Sequence, residues 1–501
     1  MLKNVGSNWV VTVVTVFAVY LLTPFTIHKL GVDGYGTWLL ITSINGYLAL
    51  LVLGVPMASV RYFTQHVATG DTRSLNEAIS SCTGLYLLLG LIALVVGVGL
   101  YAFFTLYGIP TALHGDARSA FGVMVVFVAI GFVALLPEGV LAAHCDFVPR
   151  NVVRLVTLLL RLGLTVALLT LRTSLTVFAL VQLICLLFDF TLCWLVIRRR
   201  YPEIRMRLSG FDWSLVRKIF SFSLYVLVLN AGARLSFETD SMVIGGFMGV
   251  GSIPHFTVAN SIIIYLMEFV VAIAAVVMPT ATRLQTQGKL PELREIFLKW
   301  SKIALSLTMI VGLFLVVLGP RFIAWWVGPQ FERSAGQVLQ VLMVSYLVFL
   351  PVRGVALPIL MGLGKPRLPT IGFLIAGLVN LALSILLVRP LGLAGVALGT
   401  AIPNVLFAAL VLVQACRELE TPVTEYLRYV FPRAALGALP VLGLLLWFKL
   451  GLEVRSLGGL AGAGVAMVVL FGLTWVFFVY RNDRYVDLRA RLPLVRAWSR
   501  A

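Results

Sequence analysis

Residues 79–105 read ISSCTGLYLLLGLIALVVGVGLYAFFT, a run without one charged side chain. A helix needs about 20 apolar residues to cross the hydrocarbon core of a bilayer, since each residue adds about 1.5 Å. This run is long enough, and similar ones recur on both sides of it. The expected spans are 9–27, 38–60, 79–105, 120–142, 152–171, 174–197, 216–237, 256–282, 300–320, 338–361, 369–388, 391–413, 430–448 and 457–480, fourteen in all. The whole chain of 501 residues is 60% hydrophobic and 12% charged, against about 25% charge in a soluble domain. The expected fold class is an all-α polytopic membrane protein, which excludes a secreted enzyme, a nucleic-acid binder and a disordered scaffold.

The net charge of +18 has a topological explanation, because cytoplasmic loops collect Lys and Arg. With the N-terminus inside, cytoplasmic segments hold 27 of the 39 Lys and Arg and outer loops hold eight. The bias predicts both termini on the cytoplasmic side of the cell membrane, with attraction to anionic lipid as a by-product. The first apolar stretch follows Lys3 but contains Pro24 and runs into Lys29-Leu30-Gly31, so it reads as a span and not a cleaved signal. Cys185 and Cys193 lie about 12 Å apart along one helix, too far for a disulfide.

The loops are too short for a catalytic domain; the longest inner connector, from Arg198 to Leu215, is basic. Gly362-Leu363-Gly364-Lys365 is followed by Pro366 and lacks the spacing of a phosphate loop; it reads as a turn. His144-Cys145-Asp146 has metal-friendly residue types, but adjacent residues diverge on a helix and no second His follows at i+4. No cofactor or metal is expected.

The chain also repeats itself. Leu30-Gly31 opens a stretch ending at Gly70, followed by Leu75 and Glu77. Met248-Gly249 opens one ending at Gly288, followed by Leu293 and Glu295. Both glycine pairs are 39 residues apart. Leu136-Pro137 and Gly139-Val140 recur as Leu350-Pro351 and Gly354-Val355, and Pro149-Arg150 as Pro366-Arg367. The period holds six helices, an even number, so both copies enter the membrane in the same sense. Two six-helix lobes are expected, 1–200 and 216–415, related by a two-fold along the membrane normal. A basic linker (201–215) joins them, and 416–501 adds two helices and a basic tail. Paired lobes around a cleft suit alternating access, and hence transport.

Several motifs resemble those of a known family. They are Pro24-Phe25, Lys29-Leu30-Gly31, Tyr35-Gly36-Thr37-Trp38, Leu53-Gly54 and Ala68-Thr69-Gly70-Asp71. The second half adds Thr239-Asp240 with Val243-Ile244, Gly362-Leu363-Gly364-Lys365-Pro366-Arg367, and the run from Leu391-Gly392 to Ala401-Ile402. The chain resembles the bacterial polysaccharide transporters, lipid-linked oligosaccharide flippases of the multidrug/oligosaccharidyl-lipid/polysaccharide (MOP) exporter superfamily. That resemblance implies a V-shaped pair of bundles carrying an undecaprenyl-diphosphate-linked glycan to the outer leaflet. It also implies that helices 1, 2, 7 and 8 line a central cavity.

An ionisable group at the bilayer centre costs about 2.5–3.5 kcal/mol on insertion scales, so each needs a partner, water or a task. Arg154 and Arg161 lie two turns apart in the fifth span, and Asp189 falls between them in depth on the sixth. They form either an ion-pair cluster inside the first lobe or a cluster facing the cavity. Glu268 lies mid-span in the eighth helix and Arg353 in the tenth. Arg234 stands one turn before Glu238, as an i,i+4 pair or, given the resemblance, as a cavity cation. Asn45 and Asn260 are helix–helix hydrogen-bonders or cavity groups. Arg61 and Arg283 close the inner ends of helices 2 and 8 as headgroup anchors or substrate contacts, and Trp325-Trp326 reads as an interfacial belt.

A lipid diphosphate asks for guanidinium, which binds phosphate oxygens in bidentate fashion. The candidate substrate ligands are therefore Arg234, Arg61, Arg283, Arg161, Arg154, Arg353, Asn45 and Asn260, and the candidate carriers of a coupling ion are Glu268 and Asp189. The expected partners are the lipid-linked glycan, membrane lipids and other polysaccharide assembly proteins, with no nucleic acid. A cation-coupled multidrug exporter and a peptidoglycan-precursor flippase of the same superfamily are the alternatives. A membrane glycosyltransferase would need an exposed acidic or metal-binding loop.

Overall fold

The computed structural model describes residues 2–52, 54–103, 108–205, 211–217, 232, 239–271 and 273–486. Among these residues the secondary structure is helical throughout. The helices are α1 (Leu2–Leu48), α2 (Val55–Thr69), α3 (Thr72–Phe103), α4 (His114–Ala143), α5 (Phe147–Leu171), α6 (Leu175–Arg200), α7 (Asp240–Met248) and α8 (Ile253–Val271). They continue as α9 (Ala274–Thr286), α10 (Leu290–Val317), α11 (Gly319–Val327), α12 (Ser334–Gly362), α13 (Arg367–Glu418), α14 (Val423–Val430), α15 (Pro432–Leu446) and α16 (Leu457–Thr474).

Eleven helical segments among the described residues are long and apolar enough to cross a membrane. Two of them each carry a pair of the expected spans: α1 bends at Gly31 and α13 at Gly392. Most of the expected span 216–237 lies outside the described residues. Elsewhere the sequence joins what the backbone divides. The expected helix 38–60 breaks after Leu48, and α2 restarts behind Gly54 with Pro56 in its first turn, where a missing N–H costs nothing. The expected helix 256–282 divides likewise into α8 and α9.

The described residues fall into two compact units, one running to Pro254 and the other starting at His255. Residues 239–254, assigned from sequence to the second lobe, group with the first unit. In that unit α3 lies against α4 through a stripe without side chains. A Cβ on Gly90 would come within 2.6 Å of the Ala129 carbonyl oxygen, and one on Gly97 within 2.3 Å of Val125. With no hydrophobic effect to draw helices together in lipid, such close backbone approach supplies the packing. The opposite face of α3 presents Leu91, Val95 and Val98, all more than half exposed, as a lipid-facing surface does. Gly36 of α1 meets the Val250 carbonyl, and Gly245 of α7 meets Leu40 and Ile253.

The repeat is visible in the backbone. Gly31 and Gly249 have φ of +72° and +86°, and Gly70 and Gly288 of +69° and +68°. After α2, Gly70 N–H donates to Val67 and Asp71 N–H to His66; after α9, Gly288 N–H donates to Gln285 and Lys289 N–H to Leu284. Both are the same left-handed helix closure. A second such pair of turns ends α4 and α12, with Cys145 and Gly364 in the left-handed position.

Candidate functional site

In the first unit, α4, α5 and α6 bring a polar cluster together. Arg150 of α5 pairs with Glu138 of α4, each about one-third exposed. Asp189 of α6 accepts a 3.0 Å hydrogen bond from Thr157 Oγ1, with the Cys193 thiol 3.8 Å away. Glu138 is near enough to Asp189 to repel it. The expected pairing of Asp189 with Arg154 and Arg161 is not formed: no cation approaches Asp189 within 4 Å among the described residues. The reason is depth along the pair. Thr157 meets Asp189, and Arg161, one turn further along α5, meets Cys185, one turn away from Asp189 on the same face of α6. Arg154 is exposed. Arg161 is half-buried beside Cys185, and its Nε has no hydrogen bond.

Below this cluster, Asp146 joins the ends of α4 and α6, accepting from Arg200 Nη1 at 2.9 Å and Tyr201 Oη at 2.7 Å. Burial, together with that bond to Asp146, pushes the Tyr201 phenol up to about 12.

Arg353 stands in a π-helical turn, Val352–Ala356, within α12. Its guanidinium lies over Phe349 at 5.7 Å and Phe373 at 5.6 Å, where the aromatic faces attract a cation. Asn45 is 3% exposed and turns its amide back on its own helix, donating to the Ile41 carbonyl at 2.8 Å. Asn260 is half-buried on α8, and Glu268 is exposed two turns later beside Tyr265. Arg283 is exposed in the last turn of α9. Arg61 lies on α2, with its side chain outside the described set. Arg234 and Glu238 lie outside the described residues altogether. Of the aromatic pair on α11, Trp325 is 45% exposed and Trp326 is buried, so one ring alone is free to act as an interfacial anchor.

Two clusters escaped the sequence reading. Lys302 of α10 is buried with Asp483, just beyond α16, the two side chains 1% exposed each. Asp483 also accepts from Tyr429 Oη at 2.6 Å, and Lys302 lies 4.8 Å from the Tyr429 ring centre. A lysine within an apolar run was the available signal; its partner 181 positions later was not visible. The second is a seam inside α13, whose two arms bury Asn380, Ser384, Thr400 and Asn404. Gly399 admits it, since a Cβ there would strike Ser384. Asn380 Nδ2 donates to Thr400 Oγ1 at 2.9 Å, while Asn380 Oδ1 and Ser384 Oγ have no hydrogen bond among the described residues. Hydroxyl and amide groups inside apolar spans are common, which hid this seam. No group of three or more His, Cys, Asp or Glu able to hold a metal ion occurs among the described residues.

Buried charges and polar seams within helices of membrane-crossing length define a class, the polytopic α-helical membrane proteins. The solved inward-closed lipid II flippase MurJ has this fold, with a TM-score of 0.69 and 13% identity over 93% of this chain and 97% of that one. So has an inward-facing MATE-family multidrug transporter, with a TM-score of 0.66 and 16% identity over 80% of this chain and 94% of that one. The membrane protein EpsK of Bacillus subtilis (strain 168) is 22% identical over 449 residues, 87% of this chain and 86% of its own length. Residues 1–285 match the polysaccharide biosynthesis protein family. The chain belongs to that family.

Proposed function

We propose that this protein flips an undecaprenyl-diphosphate-linked oligosaccharide from the inner to the outer leaflet of the cell membrane by alternating access of two lobes. The observation that carries the reading is the polysaccharide biosynthesis family match over residues 1–285. The chemistry agrees: translocation makes and breaks no covalent bond, and the charged groups described above include several guanidiniums and form no catalytic constellation. An inside-negative potential favours outward movement of the anionic headgroup by about 2.3 kcal/mol per charge per 100 mV. In this reading Arg234 leads the cationic groups that receive the diphosphate, and Glu268 and Asp189 are the carriers of any coupled ion. Both termini are cytoplasmic, and polysaccharide assembly enzymes take up the product outside.

The test is a flipping assay in proteoliposomes loaded with a fluorescent polyprenyl-diphosphate oligosaccharide, read by its protection from an external quencher. Protein-dependent exchange between leaflets supports the proposal. Exchange of lipid II alone would transfer it to the peptidoglycan-precursor reading, to which the likeness to the lipid II flippase gives its weight. Efflux of a cationic dye without lipid movement would make it a drug exporter.

A further inference from the structure

The second unit has a groove with two unlike ends. It is a cavity of about 530 Å³ against α13, lined by Lys365, Arg367, Leu368, Ile371, Ile375 and Gln414, among others. Leu368, Ile371 and Ile375 are 40%, 49% and 54% exposed, so the trough is apolar and open along the helix. Lys365 and Arg367 stand at its mouth, where the turn after α12 leads into α13. One acidic group shares that mouth: Glu418 approaches Lys365 at 3.7 Å, with the lysine side chain still 54% exposed. Among the described residues one of the two cations thus has no carboxylate partner. Gln414, one turn before Glu418, has a buried Oε1 that accepts no hydrogen bond among the described residues.

In a bilayer, an apolar trough on a spanning helix is filled by a hydrocarbon chain, and the mouth chooses the headgroup. Basic pockets between membrane helices select anionic headgroups. A bare phosphate would leave the Gln414 oxygen unsatisfied, which is costly for a buried acceptor. A headgroup with phosphate and hydroxyls serves both ends, the phosphate on Lys365 and Arg367 and a hydroxyl donating to Gln414. We infer that this groove is a binding site for an anionic, hydroxyl-bearing phospholipid of the phosphatidylglycerol type, with an acyl chain along Leu368, Ile371 and Ile375. The site lies within one unit and is independent of the proposed cargo.

Native mass spectrometry of the purified protein, released from nanodiscs of equimolar phosphatidylglycerol and phosphatidylcholine, reads the bound lipids directly. The wild type is expected to retain phosphatidylglycerol preferentially. Lys365→Ala/Arg367→Ala should reduce that preference about tenfold, and Gln414→Leu should reduce it less. Ile375→Trp, a change at a lipid-exposed position, should lower retention of both lipids by filling the trough. Monodisperse elution and unchanged melting of each variant separate loss of the site from loss of the fold. Equal retention of the two lipids by the wild type overturns the inference. So does undiminished preference in the double variant, or displacement of the bound lipid by millimolar inorganic phosphate.

Discussion

Cys145 occupies the same place in its turn as Gly364 does in the other half of the chain. Each N–H reaches back three residues, to Ala142 at 3.0 Å and to Met361 at 3.1 Å. The next residue closes the turn on Leu141 or Leu360. The φ angles are +57° and +68°. Only one of the two copies uses the residue suited to that conformation.

A side chain in the left-handed region costs about 1–2 kcal/mol, while glycine gives back roughly 0.5–1 kcal/mol through its looser unfolded chain. Cys145→Gly should therefore raise stability by about 0.5–1 kcal/mol, read as a higher melting temperature of the detergent-solubilised protein. Gly364→Cys should lower it by a similar amount. A fall in stability for Cys145→Gly would mean that the thiol's contacts outweigh the backbone strain.

Lys302 and Asp483 should behave as a unit. Removing one leaves a buried charge, so Lys302→Met or Asp483→Leu alone should destabilise by about 3–5 kcal/mol, while the double change should recover most of the loss. Thermal melting of the four proteins measures the coupling; additive losses would show that the two charges do not depend on one another.

Acid should act through the same carboxyl. Burial alone would raise the Asp483 pKa, but hydrogen bonds from Lys302 and Tyr429 outweigh it and hold the group below its ordinary range. A depressed folded pKa contributes stability above the unfolded value, about 3.9, and loses it as pH falls through the folded one. Melting should be insensitive to this group from neutrality to about pH 5 and weaken below about pH 4. The Asp483→Leu/Lys302→Met variant should lack that acid limb.

Much of this architecture was legible because a bilayer enforces simple rules. The apolar runs marked the spanning helices, and the glycines spaced 39 residues apart in both copies turn out to be ones with positive φ. The breaks after Leu48 and Val271 were hidden because hydropathy does not change there; Gly54-Val55-Pro56 carried the only local sign of the first. Asp189, expected among Arg154 and Arg161, takes its hydrogen bond from Thr157 instead. One turn of register between α5 and α6 decides that, since Arg161 meets Cys185, and the sequence does not carry that register. The Lys302–Asp483 pair required knowing which helices meet.

The proposed topology, with both termini cytoplasmic, rests on the lysine and arginine count. Reporter fusions after Arg118, Arg333 and Arg455 should report the outside, and fusions after Arg207 and Arg489 the cytoplasm. A consistent inversion of these signs would overturn the assignment.

For the mechanism, Arg234→Ala should abolish surface-glycan export at normal membrane abundance, whether or not Glu238 is also neutralised. Arg234→Lys should restore part of it, since an ammonium offers a point charge and no fork. Glu268→Gln should impair turnover more than substrate binding if that carboxylate couples a proton. Full export by Arg234→Ala would retire this arginine as a substrate ligand.

The fastening of Lys302 to Asp483 also sets an order of events during synthesis. The ribosome makes the lysine 181 residues before the aspartate, an interval of about 10–40 s at ordinary elongation rates. Throughout that time α10 carries an unneutralised ammonium at a place the finished protein seals from water. The second unit reaches its final electrostatic balance only when translation has passed α16.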